Sequence, residues 1–392
     1  VRKLLWVGDA AVPSGFAKVT HEMCEVLRKT WDVTVLGMNY RGDPHSYPYE
    51  IFPCMPGGDP FGIGRLAWMC DYAKPDVVVI QQDPWNIPAY INRLKKNAKE
   101  LLKIPMVGFI AVDGLNVQGH QLNDLKHVIF WTKFGEQECV KSGLEKDTSV
   151  VGLGVDNVLY SPRDKRAARQ RLGIPRQFQD AFIVGNVNRN QQRKRLDLTI
   201  QYFANWVKYC DPHDAMLMLH VAPTGDASIE CEQLAQYYGV NHQVIMHTPP
   251  VFYGVAEDKM ADIYNAFDVQ VSTTQGEGWG LTTAEGMACG VPQIVPNWSA
   301  LGEWAKDGAK LIACTTRAVT IGGINVIGGI PDEDDFIGAL NMMYRSPEYR
   351  ESYRQRALDL VARPEFRWST QGERFAAVMD TIVPAKELAH AG

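Results

Sequence analysis

The chain alternates short β-rich runs with helix-length amphipathic segments, and it does so twice. In the first series, strand-like runs at 3–7, 32–36, 76–80, 105–110, 128–131 and 148–151 are separated by helical patterns at 16–29, 62–73, 87–102 and 133–142. A second series opens near Ala181. Its strands are expected at 182–187, 216–221, 243–246, 268–271 and 293–295, with helices at 196–209, 229–238, 258–267, 281–288 and 301–306. Such alternation implies a parallel sheet covered by helices on both faces, once per series. At 392 residues the chain is also too long for one ordinary core. Two domains are therefore expected, at 1–155 and 181–365, joined by a linker at 156–180. The linker contains Arg163-Asp-Lys-Arg-Ala-Ala-Arg-Gln-Arg, which reads as a short helix with a solvated charged face. After Asp332 the pattern is helical, and Pro364 and Phe366 mark a break before a last helix at 370–382, within a C-terminal segment 366–392.

Hydrophobic residues make up 46% and charged residues 22%, the balance of a soluble globular protein. The net charge of −5 gives no overall attraction to nucleic acid or to an anionic membrane, although a local basic face stays possible. The eight cysteines are scattered, without a C-x-x-C pair or zinc-like spacing, so reduced thiols in the cytoplasm are expected. The apolar runs are strand-sized, well short of the ~20 residues of a membrane helix. Leu4-Leu5-Trp6-Val7 is too short for the apolar core of a secretory leader.

The segment from Asp268 to Pro292 concentrates the chemistry. Val269 and Val271 alternate as a half-buried strand; Gly276, Gly278 and Gly280 then permit a tight turn and a close backbone approach to a ligand. Thr282 and Thr283 lie near the start of the following helix, whose free N–H groups favour an anion such as phosphate. Glu277 and Glu285 stand eight positions apart, and Glu285, one turn into the helix, suits hydrogen bonds from a sugar or ribose diol. A glycine-rich turn alone would be weak evidence; the paired glutamates with Ala288, Gly290 and Pro292 make a specific pattern.

This pattern resembles the E-x7-E signature of family 4 glycosyltransferases, with Trp279 where Phe is common and Gly286 where Ala is common. The phrase Val150-Val-Gly-Leu-Gly-Val-Asp-Asn-Val-Leu-Tyr-Ser-Pro resembles the family's interdomain phrase. The resemblance implies an α/β GT-B fold: two Rossmann-like domains, a deep interdomain cleft, and a C-terminal helix that crosses back to the first domain. It implies transfer of a sugar from a nucleotide-diphosphate donor to a hydroxyl acceptor, with retention. Within it, Glu285 binds the nucleotide ribose, while Glu277, Gly278, Trp279, Gly280 and Leu281 face the sugar and phosphates. Trp279 fits either a pocket wall or a packed aromatic.

Three further loops gain roles from the same resemblance. Gly8-Asp-Ala-Ala-Val-Pro-Ser-Gly-Phe-Ala-Lys resembles the first glycine loop, placing Gly15 near the donor diphosphate; Ser14 as an ordinary helix cap explains the loop equally well. Gly185-Asn-Val-Asn-Arg-Asn-Gln-Gln-Arg-Lys-Arg-Leu-Asp-Leu resembles the basic loop of the second domain. There Arg189 and Lys194 would stabilise charge developing on the leaving diphosphate, and Arg195 replaces a common glycine. Many family members carry a His after the fourth strand of the first domain, where this chain has Asp113, a candidate to orient the acceptor or serve as general base. Asp83 and His120 are acceptor-side candidates. The catalytic set is thus Asp113, Glu277, Arg189 and Lys194.

No metal site and no cofactor are expected, because cationic side chains and a helix N-terminus can hold the diphosphate; Asp332-Glu-Asp-Asp reads as an acidic helix start. The acceptor stays open among small molecules, glycans, proteins and a hydroxymethylated DNA base. Lys95, Lys96, Lys99 and Lys103 offer one basic face for DNA, or ordinary helix solvation. Glu22 and Glu25 make the helix at 16–29 a poor membrane anchor, so stable membrane association is not expected. A sugar-nucleotide epimerase on the same fold and a non-catalytic glycan-binding protein are the other two classes in contention.

Overall fold

The computed structural model describes residues 1–221, 229–248, 254–320 and 324–384. The chain forms two compact units, one of 1–112, 117–154 and 368 onward, the other of 113–116 and 155–367.

The first unit holds seven strands: β1 (Arg2–Asp9), β2 (Trp31–Met38), β3 (Glu50–Pro53), β4 (Val77–Gln82), β5 (Met106–Ile110), β6 (His127–Phe130) and β7 (Thr148–Val150). They lie in the order β3-β2-β1-β4-β5-β6-β7, every pair parallel. Leu5, Val7, Val78, Ile80 and Phe130 are wholly buried, as strands covered on both faces must be. Helices α1 (Gly15–Leu27), α2 (Leu66–Ala73), α3 (Ile87–Asn97) and α4 (Lys133–Lys141) make the crossovers. Helix α1 starts where Ser14 Oγ accepts the Ala17 N–H (3.0 Å), and α4 where Thr132 Oγ1 accepts that of Gly135 (3.1 Å). The edge strand β3 had no counterpart in the sequence reading; it is four residues long and ends in proline.

The second unit begins with α5 (Lys165–Arg171) and continues β8 (Phe182–Asn188), α6 (Leu196–Cys210), β9 (Ala215–Val221), α7 (Cys231–Tyr237), β10 (Val244–His247), α8 (Glu257–Asn265) and β11 (Val269–Val271). Next come α9 (Leu281–Ala288), β12 (Gln293–Pro296), α10 (Ser299–Trp304), β13 (Lys310–Ile312), the antiparallel hairpin β14 (Cys314–Val319) and β15 (Ile327–Pro331), then α11 (Glu333–Arg345) and α12 (Pro347–Val361). The parallel sheet runs β10-β9-β8-β11-β12-β13. Helix α11 opens as its acidic sequence suggested, with Asp332 accepting the Asp335 N–H (3.0 Å).

One expectation needs correction. Residues 156–180 hold the short helix α5 with Lys165, Arg166 and Arg171 exposed, but they are part of the second unit and not a linker between two. Arg169 of α5 is 2% exposed and donates to Asp268 Oδ2 (2.8 Å), to the Ala266 carbonyl (2.9 Å) and to the carbonyls of Gln179 and Ala181 (2.8 and 2.9 Å). Asp262 takes both Arg163 (2.8 Å) and Arg171 (2.7 Å). A guanidinium fork satisfied on all sides is stable in a buried site, so this one charge of the stretch became part of the packing. After Asp332 the described chain is helical as expected, and the hairpin β14–β15 lies in the stretch before it, to which the sequence reading assigned no element.

The last helix, α13 (Trp368–Ile382), belongs to the first unit, as a crossover requires. Phe375 packs its ring on Trp6 (5.6 Å) and Phe109 (5.0 Å), and Asp380 pairs with Arg2 (2.6 Å). A Cβ on Gly372 would stand 2.6 Å from Val26, so glycine lets α13 lie directly on α1.

Candidate active site

The C-terminal ends of β8 and β11 adjoin in the second sheet, and the loops that follow them are laced together. Ligands of open parallel sheets bind at that edge. The Gln275 N–H donates to the Arg193 carbonyl (2.7 Å), and Thr273 Oγ1 donates to the Arg195 carbonyl (2.7 Å). The run Ser272 to Gln275 is buried although every side chain is polar, the mark of a segment held by specific hydrogen bonds. Before α6, the chain makes a 3-10 turn at Gln192–Lys194 and Arg195 takes a left-handed conformation (φ 48°, ψ 49°), which accounts for glycine being common there. Arg195 turns outward to Asp197 (2.8 Å), and its two predecessors turn inward.

Those predecessors meet Glu277. Lys194 Nζ is hydrogen-bonded to Glu277 Oε1, and Arg193 Nη1 lies 3.3 Å from Glu277 Oε2 and 2.8 Å from the Gly276 carbonyl. Arg193 Nε lies 3.4 Å from Asp113 Oδ2, within the same unit. Two cations and two carboxylates thus share one cluster, with Lys194 and Glu277 buried and Arg193 and Asp113 half-buried. Burial, seconded by Arg193, brings the Lys194 pKa down to about 8 against the pull of Glu277. Burial pushes Glu277 up, but Lys194 and Arg193 together outweigh it and hold its carboxyl below the ordinary value. Asp113 is pushed up, chiefly by burial, with Arg193 only partly offsetting it and Glu277 adding to it.

The glycine turn is as tight as the sequence implies. A Cβ at Gly276 would run into the Asp113 carbonyl oxygen, and Gly280 (φ 97°) takes the N-terminal position of α9. Gly286 also has its reason: alanine there would strike the side-chain amides of Gln270 and Gln293, which fill its space. Glu277 is braced from behind by Ser299, whose Oγ accepts the Glu277 N–H (3.0 Å). Glu285 is buried on α9 and accepts a hydrogen bond from Tyr264 Oη of α8 (2.6 Å).

Of the residues singled out from sequence, Asp113, Lys194 and Glu277 come together, and Gly278, Gly280 and Leu281 form the adjoining turn. Arg189 is exposed at the mouth of the basic loop; the guanidinium on Glu277 is that of Arg193, which the sequence reading passed over. The Trp279 ring is packed rather than open, stacked on Trp304 (5.4 Å, 18°) and against Phe366 (6.2 Å). Gly15, Asp83 and His120 all belong to the first unit. Gly15 is the exposed first residue of α1; Asp83 is half-buried in the turn after β4, its carbonyl accepting the Asn86 N–H (3.1 Å); His120 is exposed in a 3-10 turn at Gly119–Leu122. Lys95 pairs with Asp124 (2.7 Å), and Lys96, Lys99 and Lys103 are exposed.

Residues 179–321, which include the basic loop, the glycine turn and both glutamates, match the family described as "Glycosyl transferases group 1". Among curated relatives, the D-inositol 3-phosphate glycosyltransferase of Geodermatophilus obscurus is 33% identical over 168 residues, 42% of this chain and 36% of that protein. The one of Stackebrandtia nassauensis is 28% identical over 241 residues, 60% of this chain and 49% of that protein. The chain therefore spans about half or less of the length of these relatives.

Likeness in structure reaches further. Sucrose-phosphate synthase from Thermosynechococcus elongatus matches with a TM-score of 0.78 at 16% identity, over 97% of this chain and 99% of the other. Anabaena Alr3699/HepE in complex with UDP-glucose matches with a TM-score of 0.72 at 16% identity, over 97% of this chain and 100% of the other. The fold is GT-B, two Rossmann-like α/β domains. Among the described residues, no helix is long and apolar enough to cross a membrane. All eight cysteines are free thiols.

Proposed function

We propose that this chain transfers a glycosyl group from a nucleoside-diphosphate sugar to a hydroxyl acceptor, with retention and without a bound metal ion. The observation that carries the reading is the seating of Lys194 and Arg193 on Glu277, at the sheet edge of a segment that matches the group 1 glycosyl transferases. As the bond from the sugar carbon to the diphosphate breaks, negative charge grows on the leaving oxygens. An ammonium and a guanidinium held in a site of low dielectric stabilise that charge more than they would in water. The same cations do the work a divalent ion does elsewhere, hence the metal-free mechanism.

Glu277 then has two duties: it keeps Lys194 charged while the site is empty, and it faces the sugar carbon, where positive charge develops. Asp113, its carboxyl raised by burial, orients the acceptor hydroxyl and receives its proton. Glu285, braced by Tyr264, takes the ribose diol. Retention rests on the family resemblance. Work in the cytoplasm, without stable membrane association, belongs to the same proposal.

The names of the relatives and fold neighbours suggest where to begin: UDP-sugars as donors and a phosphorylated cyclic polyol as acceptor. A nucleotide-sugar panel scored by thermal shift tests the donor half, because a ligand at a hundred times its Kd stabilises the folded state by about 2.7 kcal/mol. The donor that raises the melting temperature is expected to lose its effect in Glu285→Ala and Arg193→Ala. Normal binding by both variants refutes the site. Turnover is expected to survive excess chelator; loss restored by Mg²⁺ or Mn²⁺ refutes the metal-free mechanism.

A further inference from the structure

The hairpin β14–β15 stands outside both parallel sheets, yet its second strand makes backbone bonds to two separate parts of the site. Ile327 exchanges a pair of bonds with Leu115: the Leu115 N–H donates to the Ile327 carbonyl (2.9 Å) and the Ile327 N–H to that of Leu115 (3.0 Å). Two residues on, the Gly329 N–H donates to the Gln275 carbonyl (2.9 Å), two positions before Glu277. One strand thus grips both the segment 113–116 and the glycine turn. The contact is too close for side chains. A Cβ at Gly114 would stand 2.5 Å from the Ile327 carbonyl oxygen, and one at Gly328 would stand 2.6 Å from that of Gln275. At the hairpin tip, Asn116 Nδ2 donates to the Asn325 carbonyl (2.9 Å), and both asparagines are left-handed (φ 64° and 59°).

By contrast, the side-chain hold on Asp113 is loose. At 3.4 Å, its pairing with Arg193 is well beyond the 2.7–2.9 Å of a strong charge-assisted hydrogen bond. The backbone bonds of its neighbours, not the ion pair, therefore fix where Asp113 stands.

We propose that the hairpin β14–β15 is a positioning element for the reaction, holding Asp113 against Arg193 and Glu277 through the Leu115–Ile327 and Asn116–Asn325 bonds. This rests on the transfer reading given above, in which Asp113 meets the acceptor. The hairpin touches no reacting atom; it acts through the segment it clamps.

Two variants of the full chain test it. Asn116→Gly removes the amide donor but keeps a residue at ease with positive φ. Gly114→Ala forces Ile327 off the segment that carries Asp113 and leaves the Gly329–Gln275 bond in place. With UDP-glucose as probe, both are expected to bind the donor as the wild type does. Turnover, read as UDP released, is expected to fall about tenfold or more, the scale on which small misplacements of a catalytic group act. The acid limb of the rate profile is expected to move to lower pH. Asp113 is held high mainly by burial while it faces Arg193, Lys194 and Glu277, and water reaching it lowers it again. A purely structural hairpin lowers the melting temperature of the variants but leaves kcat and the acid limb of the folded enzyme where they were, and that result overturns the proposal. If the wild type neither binds nor turns over UDP-glucose or any other nucleotide sugar of the panel, the transfer reading falls and the positioning role falls with it.

Discussion

Replacing Glu277 with Gln probes the charge balance of the site through the pH dependence of stability. Lys194 is held at about 8, against 10.5 for a free lysine. At about 1.4 kcal/mol per unit, keeping its ammonium folded costs about 3 kcal/mol at any pH below 8, and that cost fades as pH rises toward 10.5. Gln at 277 removes the counter-ion, so the Lys194 pKa drops further and the proton is lost at lower pH. The upper bound is then the cost of a fully neutral lysine, about 5 kcal/mol at pH 7 and about 6 at pH 6. Through Lys194, the variant can lose at most about 1–2 kcal/mol at pH 7, about 3 at pH 6, and essentially nothing above pH 9.

Glu277 itself adds no slope in this window. Its folded pKa lies below the ordinary 4.5, so its stabilising contribution is complete above that value and is lost only as pH falls through the folded one. Urea unfolding of both proteins at pH 6, 7.5 and 9 reads the difference directly. The gap between wild type and variant is expected to widen as pH falls. A gap that is flat from pH 6 to 9, or widest at pH 9, would falsify the assignment of Lys194 as a cation kept charged by Glu277.

Two smaller perturbations address the departures from the family pattern. Gly286→Ala restores the common residue but drives a methyl into the amides of Gln270 and Gln293, and is expected to cost about 1–3 kcal/mol in urea unfolding. Shortening Gln270 to Ser in the same background is expected to recover part of it, and an unaltered midpoint in the single variant contradicts the packing argument. Arg195→Gly relieves a left-handed backbone worth about 1 kcal/mol and gives up a partly exposed pair with Asp197 worth at most about the same. A near-unchanged midpoint is expected, and a loss above about 2 kcal/mol shows that the pair matters more than its exposure suggests.

What could be read in the sequence was what is local. The strand at Val269–Val271, the turn at Gly276 and Gly280 and the helix Leu281–Ala288 follow from patterns a few residues long, and they stand where periodicity put them. Within Arg193-Lys194-Arg195, composition could not say which cation faces inward. The 3-10 turn and the left-handed Arg195 decide that, sending Arg193 to Glu277 and Arg195 to Asp197. Trp279 is packed by Trp304 and Phe366, and Arg169 is buried by Asp268; both outcomes depend on partners far along the chain. The hairpin was missed for the same reason. Its strands are short, and one of them is completed by Leu115, some two hundred residues earlier.

The place of α13 bears on how the molecule is made. Trp6 and Phe109 leave the ribosome early, but Phe375, which closes over them, comes only after the whole second unit has been synthesised. At roughly 5–20 residues per second, those roughly 200 intervening residues mean a wait of roughly 10–40 seconds. During that time the first sheet is a nascent chain with an uncovered aromatic surface, a natural client for a chaperone. A stop codon near the end of the message would therefore damage the domain translated first.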